Sequence, residues 1–213
     1  MLCVPGLIDA ATIAIIQRRA RERRAFLILD CAETDTVATV IGGLAGKTGV
    51  DAPNSALYFP WVEASDPLER LNPRAVDCIR SFASFGTVLF GTRTLDGDDT
   101  GSSDWQFIPV RRLAPFMEES ISRGTQWAVF EPNGASLWAQ LRLSVGAFMQ
   151  SLFVQGAFAG ATPETGYSVR CDATTTTPAD IDRGVVDIVV GFAPLRPAEF
   201  VILTIQQLAG GGA

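Results

Sequence analysis

The chain of 213 residues contains no histidine. That removes imidazole general bases, Ser-His-Asp and Cys-His arrangements, and histidine-ligated metal centres. Only four cysteines occur, Cys3, Cys31, Cys78 and Cys171, and no two form a C-x-x-C pair. They read as reduced thiols of a protein folded in a cytoplasm. Lysine is nearly absent: of 17 basic residues only Lys47 is not arginine. The basic n-region that opens a signal peptide is missing from the N-terminus. The net charge of −6 disfavours nucleic acid and anionic membrane surfaces as partners. What is abundant is apolar: 47% hydrophobic against 19% charged residues, enough to bury a sizeable core. One uncharged stretch, Leu143 to Thr162, is long enough to cross a bilayer. Its two glutamines, two serines and three glycines favour a helix buried in a soluble core, with Leu137, Leu141, Phe148 and Leu152 facing a sheet.

The stretch GGLAGKTGV, Gly42 to Val50, ends like a phosphate-binding loop. The first glycine of that pattern falls on Ile41, and Gly42 and Gly43 leave the loop too short. Val37, Val40, Ile41 and Leu44 recur at helical spacing, so a helix capped near Thr34 to Thr36 precedes the loop where a strand is required. Asp30, at the end of FLILDC, imitates a Walker-B aspartate but stands on the wrong side of the loop. A helix stop at Gly46 or Gly49 is therefore preferred to a nucleotide site at Lys47 and Thr48. A second sharp reading is the RRARERR run, Arg18 to Arg24, as a nucleic-acid patch. Without interleaved aromatics it reads better as a solvated helix end whose cations suit the dipole. The DGDDTGSSD stretch resembles the start of a calcium loop. The bidentate Glu is replaced by Phe107, which leaves a solvated loop.

Along the chain, Asp9 caps a helix to about Arg24 with Ile13, Ile16 and Ala20 on one face. Strands are expected at Ala25–Asp30, Ser55–Glu63 and Thr87–Leu95. A helix is expected from Asn72 with Pro73 at its first position. Val110–Gly124 and Asn133–Ala157 follow as helices, with a strand at QWAVFEP between them. YSVRCD, VVDIVVGFAP and AEFVILTIQQL complete the strands, with TTTTPADIDRG as a loop. The fold class is α/β with an α+β mixture: a mixed β-sheet flanked by helices, and a terminal strand arm that augments a neighbour's sheet.

From Gly86 onward, GTVLFGTRTL, WQFIPVRRL, VFEPN, GAFAG, RCD and GFAPLRPAEFVILTIQQ occur in one order. Together they resemble the C-terminal region of the contractile tail sheath proteins of bacteriophages and related injection particles. CVPGL, RRAFLILD and ALYFPWV resemble that family's preceding segment. The resemblance implies a structural subunit, not an enzyme. Copies would stack as six-fold rings around an inner tube and contract to drive it through an envelope, using energy stored in the lattice. Implied partners are other copies, the inner tube protein, and baseplate and tail terminator proteins, with no cofactor, nucleic acid or membrane insertion. Assembly in the bacterial cytoplasm would deliver a virion tail or a released injection particle. Sheath proteins usually carry a longer stretch where only EASDPLE separates YFPWV from LNPRAV, an arm and outer domain before CVPG, and often tryptophan where Phe90 stands. An abridged chain is therefore expected. It divides into a remnant of the preceding sheath segment (1–67), a C-terminal sheath domain (68–196) and an arm (197–213). The arm's interface residues would be Glu199, Phe200, Val201, Ile202, Leu203, Thr204, Ile205 and Gln206, in a strand opened by Pro197 and apolar on both faces.

Overall fold

The computed structural model describes residues 1–6, 8–43, 52–62, 71–84 and 86–198, with the backbone alone at 60–62. Strands β1 (Leu2–Cys3), β2 (Leu27–Leu29), β3 (Ser55–Val62), β4 (Asp77–Phe82) and β5 (Gly86–Phe90) form one sheet in sequence order. The first four run parallel and β5 closes the sheet antiparallel. Helices α1 (Ala10–Glu22) and α2 (Val37–Gly43) are the crossovers.

Alternation sorts the sheet's residues by face. Leu27, Leu29, Leu57, Phe59 and Cys78 are buried in one core with Ile13, Ala20 and Val40 of the helices. Asp9 caps α1 as expected, its carboxylate accepting from the Thr12 backbone at 2.8 Å. Gln17 lies on the same buried face, unforeseen, and its amide donates to Ser55 Oγ at 2.8 Å. At this position a hydrogen bond stands in for an apolar contact.

The helix expected from Asn72 is a correction. The chain turns at Asn72 and Pro73, Ala75 takes a left-handed φ of 61°, and Asp77–Phe82 is strand β4. A helical φ cannot pass through Ala75. Its tight neighbour β5 supplies five antiparallel pairs, from Cys78–Phe90 to Phe82–Gly86.

Helix α3 (Ile108–Gly124) and α4 (Ala135–Val154) pack on a two-stranded antiparallel sheet of β6 (Tyr167–Arg170) and β7 (Val189–Phe192). Their core joins Met117, Val145, Met149, Leu152 and Phe158. Leu137, Leu141 and Leu152 are buried as expected. Phe148 is only half-buried, against Phe116 at 6.3 Å, because Val145 and Met149 occupy the centre of the buried stripe. No helix among the described residues is long and apolar enough to cross a membrane.

Three more expectations are corrected. QWAVFEP is a single 3-10 turn (Gln126–Ala128) and a loop between α3 and α4, and no strand among the described residues pairs with it. Gly134, not Asn133, is the N-cap of α4. The Asn133 side chain instead accepts from Trp138 Nε1 and donates to the Val185 carbonyl, both at 2.9 Å. The TTTTPADIDRG loop contains a short helix, Pro178–Asp182, closed by a capping box between Thr177 and Asp180.

Candidate assembly surfaces

The expected arm residues, Glu199 to Gln206, lie outside the described residues, as do Gly46, Lys47 and Thr48. What precedes the glycine loop is described: Gly42 and Gly43 are the last residues of α2, so a helix stands where a phosphate-binding loop needs a strand. Asp30 is committed to the backbone. Its carboxylate accepts from Cys31 N at 3.0 Å and Gly6 N at 3.2 Å, tying the ends of β1 and β2 together.

The arginine run is divided by helix geometry. Arg19 pairs with Glu22 on α1 at 2.9 Å. Arg24, left-handed at φ 52°, turns to α3 and meets Glu119 at 2.6 Å and Glu118 at 3.3 Å. Arg123 reaches Glu119 at 2.7 Å. Hydrogen bonds from Arg24 and then Arg123 hold the Glu119 carboxyl below the ordinary range. A cleft of about 540 Å³ lies over this seam, with Arg23, Arg111, Arg112 and Phe116 on its walls. Arg111 Nε donates to Asn54 Oδ1 at 2.9 Å, and its guanidinium stacks over Trp105 at 4.8 Å.

A polar knot that the sequence did not announce shapes the DGDDTGSSD loop. The buried Asp77 carboxylate accepts from the Arg93 backbone at 3.0 Å. The Arg93 guanidinium, itself buried, donates to the Gly97 carbonyl at 2.8 Å and to Asp99 at 2.6 Å. Asp98 accepts from Thr100, and Asp96 from Ser103. Asp96, Asp98 and Asp99 are thus engaged by the loop's own hydroxyls and by Arg93, and among the described residues no group of three acids or thiols could hold a metal ion. The signal was the Arg93–Asp99 spacing, which means nothing until Asp77 is placed in a strand beneath it. Cys31, Cys78 and Cys171 are buried and Cys3 is exposed, all four as free thiols.

The surfaces left incomplete are edges and faces. The β6–β7 sheet has no third strand among the described residues, and the end of β7 is bridged by the 158–159 segment, where Ala159 N donates to the Ala193 carbonyl at 2.8 Å. Beside β7, a groove of about 430 Å³ runs along α3 between Met117, Ile121, Ile188 and Val190. On the main sheet, the face turned away from α1 is only partly covered, and a second groove of about 380 Å³ crosses it. Unpaired edges and uncovered apolar faces suit protein–protein assembly better than small-molecule chemistry.

Comparison with known proteins agrees with that reading. The profile described as phage tail sheath C-terminal domain matches residues 100–207. The tail sheath protein of Enterobacteria phage T4 is 27% identical over 181 residues, which are 85% of this chain and 26% of the T4 protein. A chain of the six-fold symmetrised anti-feeding prophage baseplate superposes with a TM-score of 0.74 at 28% identity, covering 93% of this chain and 66% of that one. A chain of the PVC sheath complex, an extracellular contractile injection system in its contracted state, gives 0.75 at 28% identity, covering 85% and 64%. The chain thus spans about a quarter of the T4 protein and just under two thirds of these solved chains.

Proposed function

We propose a function from one premise: the chain belongs to the family of phage tail sheath C-terminal domains. It is a structural subunit of the sheath of a contractile tail or injection particle. Copies assemble as stacked six-fold rings around an inner tube, and the lattice contracts to drive the tube outward. The observation that carries this reading is the superposition over most of the chain on sheath proteins, including one in the contracted state. Energy for contraction resides in the lattice, and the chain performs no catalysis. Baseplate, tube and terminator proteins are its partners beyond other copies. Assembly takes place in the cytoplasm, and the product is a virion tail or a released particle.

Residues 1–67 act as the remnant of a preceding sheath segment and 68–196 as the sheath domain. Residues 197–213 act as an arm, with Glu199 to Gln206 adding a strand to a neighbour's sheet. The β6–β7 sheet, of only two strands among the described residues, supports this, because a short sheet gains from strand addition. Electron microscopy of the purified protein tests the proposal. Striated tubes are expected, and deleting Ala198 to Ala213 is expected to abolish them while the circular dichroism melt persists. Tubes from the truncated protein would end the arm's role, and a truncated protein that simply unfolds would return the strand to its own domain.

A further inference from the structure

Past the end of α3, the chain presents an apolar knob. Phe130 is fully exposed, at 102% of its reference area, and Trp127 and Val129 beside it are exposed too. Phe130 holds a left-handed φ of 72°, a conformation that a bulky side chain adopts only when its surroundings impose it. The imposing contacts are visible. Val129 N donates to Gln126 O and Glu131 N to Ala128 O, both at 3.2 Å, and Asn133 is pinned to Val185. The ring is therefore displayed by a hydrogen-bonded turn.

The matching feature is the groove on the uncovered sheet face. Strand registers place Cys3, Ile28, Tyr58, Ile79 and Leu89 on one side. They line about 380 Å³, with Leu89 64% exposed and Arg112 at the rim. Parallel sheets are ordinarily covered on both faces, and among the described residues this face is only partly covered. Ile108 and Arg112 line the groove from the first turns of α3, whereas the knob follows its last residue, Gly124. At 1.5 Å per residue, a helix of 17 residues separates them by about 25 Å.

We infer that the Phe130 knob of one copy fills the sheet-face groove of a second copy. Charge supports the same partner: exposed Glu131 follows the knob, and exposed Arg112, with no ion pair among the described residues, stands at the groove. A knob and a groove at opposite ends of one helix make a head-to-tail contact, which leaves a free knob and a free groove on every oligomer and so propagates. The choice of a second copy as the occupant rests on the sheath reading above.

Cys3 makes the contact testable, because it lies in the groove as an exposed thiol. In the full chain, Val129→Cys, which keeps the Phe130 ring, is expected under copper–phenanthroline oxidation to give a ladder of dimers, trimers and larger species on non-reducing gels. Adding Cys3→Ser is expected to remove the ladder, and Leu143→Cys, exposed on α4, is expected not to produce one. The inference is overturned by a lone dimer that survives Cys3→Ser, by an internally crosslinked monomer, by an equal ladder from Leu143→Cys, or by no crosslink. Electron microscopy of the wild-type protein separates the two proposals. Tubes without the ladder retain the sheath reading and reject this contact, and the ladder without tubes does the reverse.

Discussion

The halves of the molecule are built by different rules. The first packs its crossover helices on one face of a mostly parallel sheet, and its core of Ile13, Leu27, Leu57, Val76 and their neighbours lies on that side. The second leans two long helices on a sheet of only two strands, and its core shares no member with the first. A two-stranded sheet is marginal alone and here depends on α3 and α4 for cover. Polar contacts join the halves: Arg24 with Glu118 and Glu119, and Arg111 with Asn54. Such exposed ion pairs couple weakly. Among the described residues, one half leaves a sheet face partly covered and the other has a sheet of only two strands, which suits a subunit meant to be finished by others.

The largest expected effects test whether the two cores are separate. Leu57→Ala and Met149→Ala each delete a fully buried side chain, and each costs about 2–5 kcal/mol. Hydrogen exchange read by mass spectrometry is expected to show lost protection in β2 and β3 for the first variant and in α3 and α4 for the second. Equal loss across both halves for either variant would mean one cooperative unit and would erase the distinction. Phe148→Ala, on the half-buried flank of α4, is expected to cost less than Met149→Ala.

Two glycines sharpen the contrast at smaller scale. A Cβ on Gly97 would stand 2.6 Å from the Gln106 carbonyl and 2.9 Å from that of Thr94, both backbone atoms that cannot move aside. Gly97→Ala is expected to destabilise by about 1–3 kcal/mol by overpacking the Arg93 knot. A Cβ on Gly146, inside α4, would meet nothing within 4 Å, so Gly146→Ala is expected to stabilise by about 0.5–1 kcal/mol. Denaturant melts check both, and the same sign for the two would break the argument.

What was legible in the sequence follows from the same division. Long amphipathic or apolar segments, α1, α3 and α4, carry enough periodicity to be placed within a few residues. β4 does not, because Asn-Pro mimics a helix start and it is pairing with β3 and β5 that makes the segment a strand. QWAVFEP has strand composition but no partner strand among the described residues, and it forms a turn that leaves its apolar residues outside. The buried Asp77–Arg93 contact is invisible in the sequence because it joins residues 16 apart through a strand whose local signals are those of a helix. The assembly readings come from motif order across the chain, and composition alone points no further than a core-forming, acidic protein.

The smallest expected effect concerns Tyr58, on the partly covered face of the first sheet. Burial, and secondarily the Asp77 carboxylate, push its phenol from 10.0 up to about 12. The folded state therefore favours the neutral form. Below about pH 10 the phenol is neutral in both folded and unfolded chains, and its contribution is fully present. Above that, the unfolded chain releases the proton that the folded chain keeps, so stability falls as pH rises towards the folded value. Tyr58→Phe removes this titration. It gives up only a 3.5 Å hydrogen bond to the Gly91 carbonyl, at the long limit for such a contact, so the cost at neutral pH is small. Denaturant melts at neutral pH and at about pH 11 are expected to show wild type losing more stability than Tyr58→Phe. Equal losses would place the phenol in solvent and would mean that this face of the sheet is more open than its strand registers indicate.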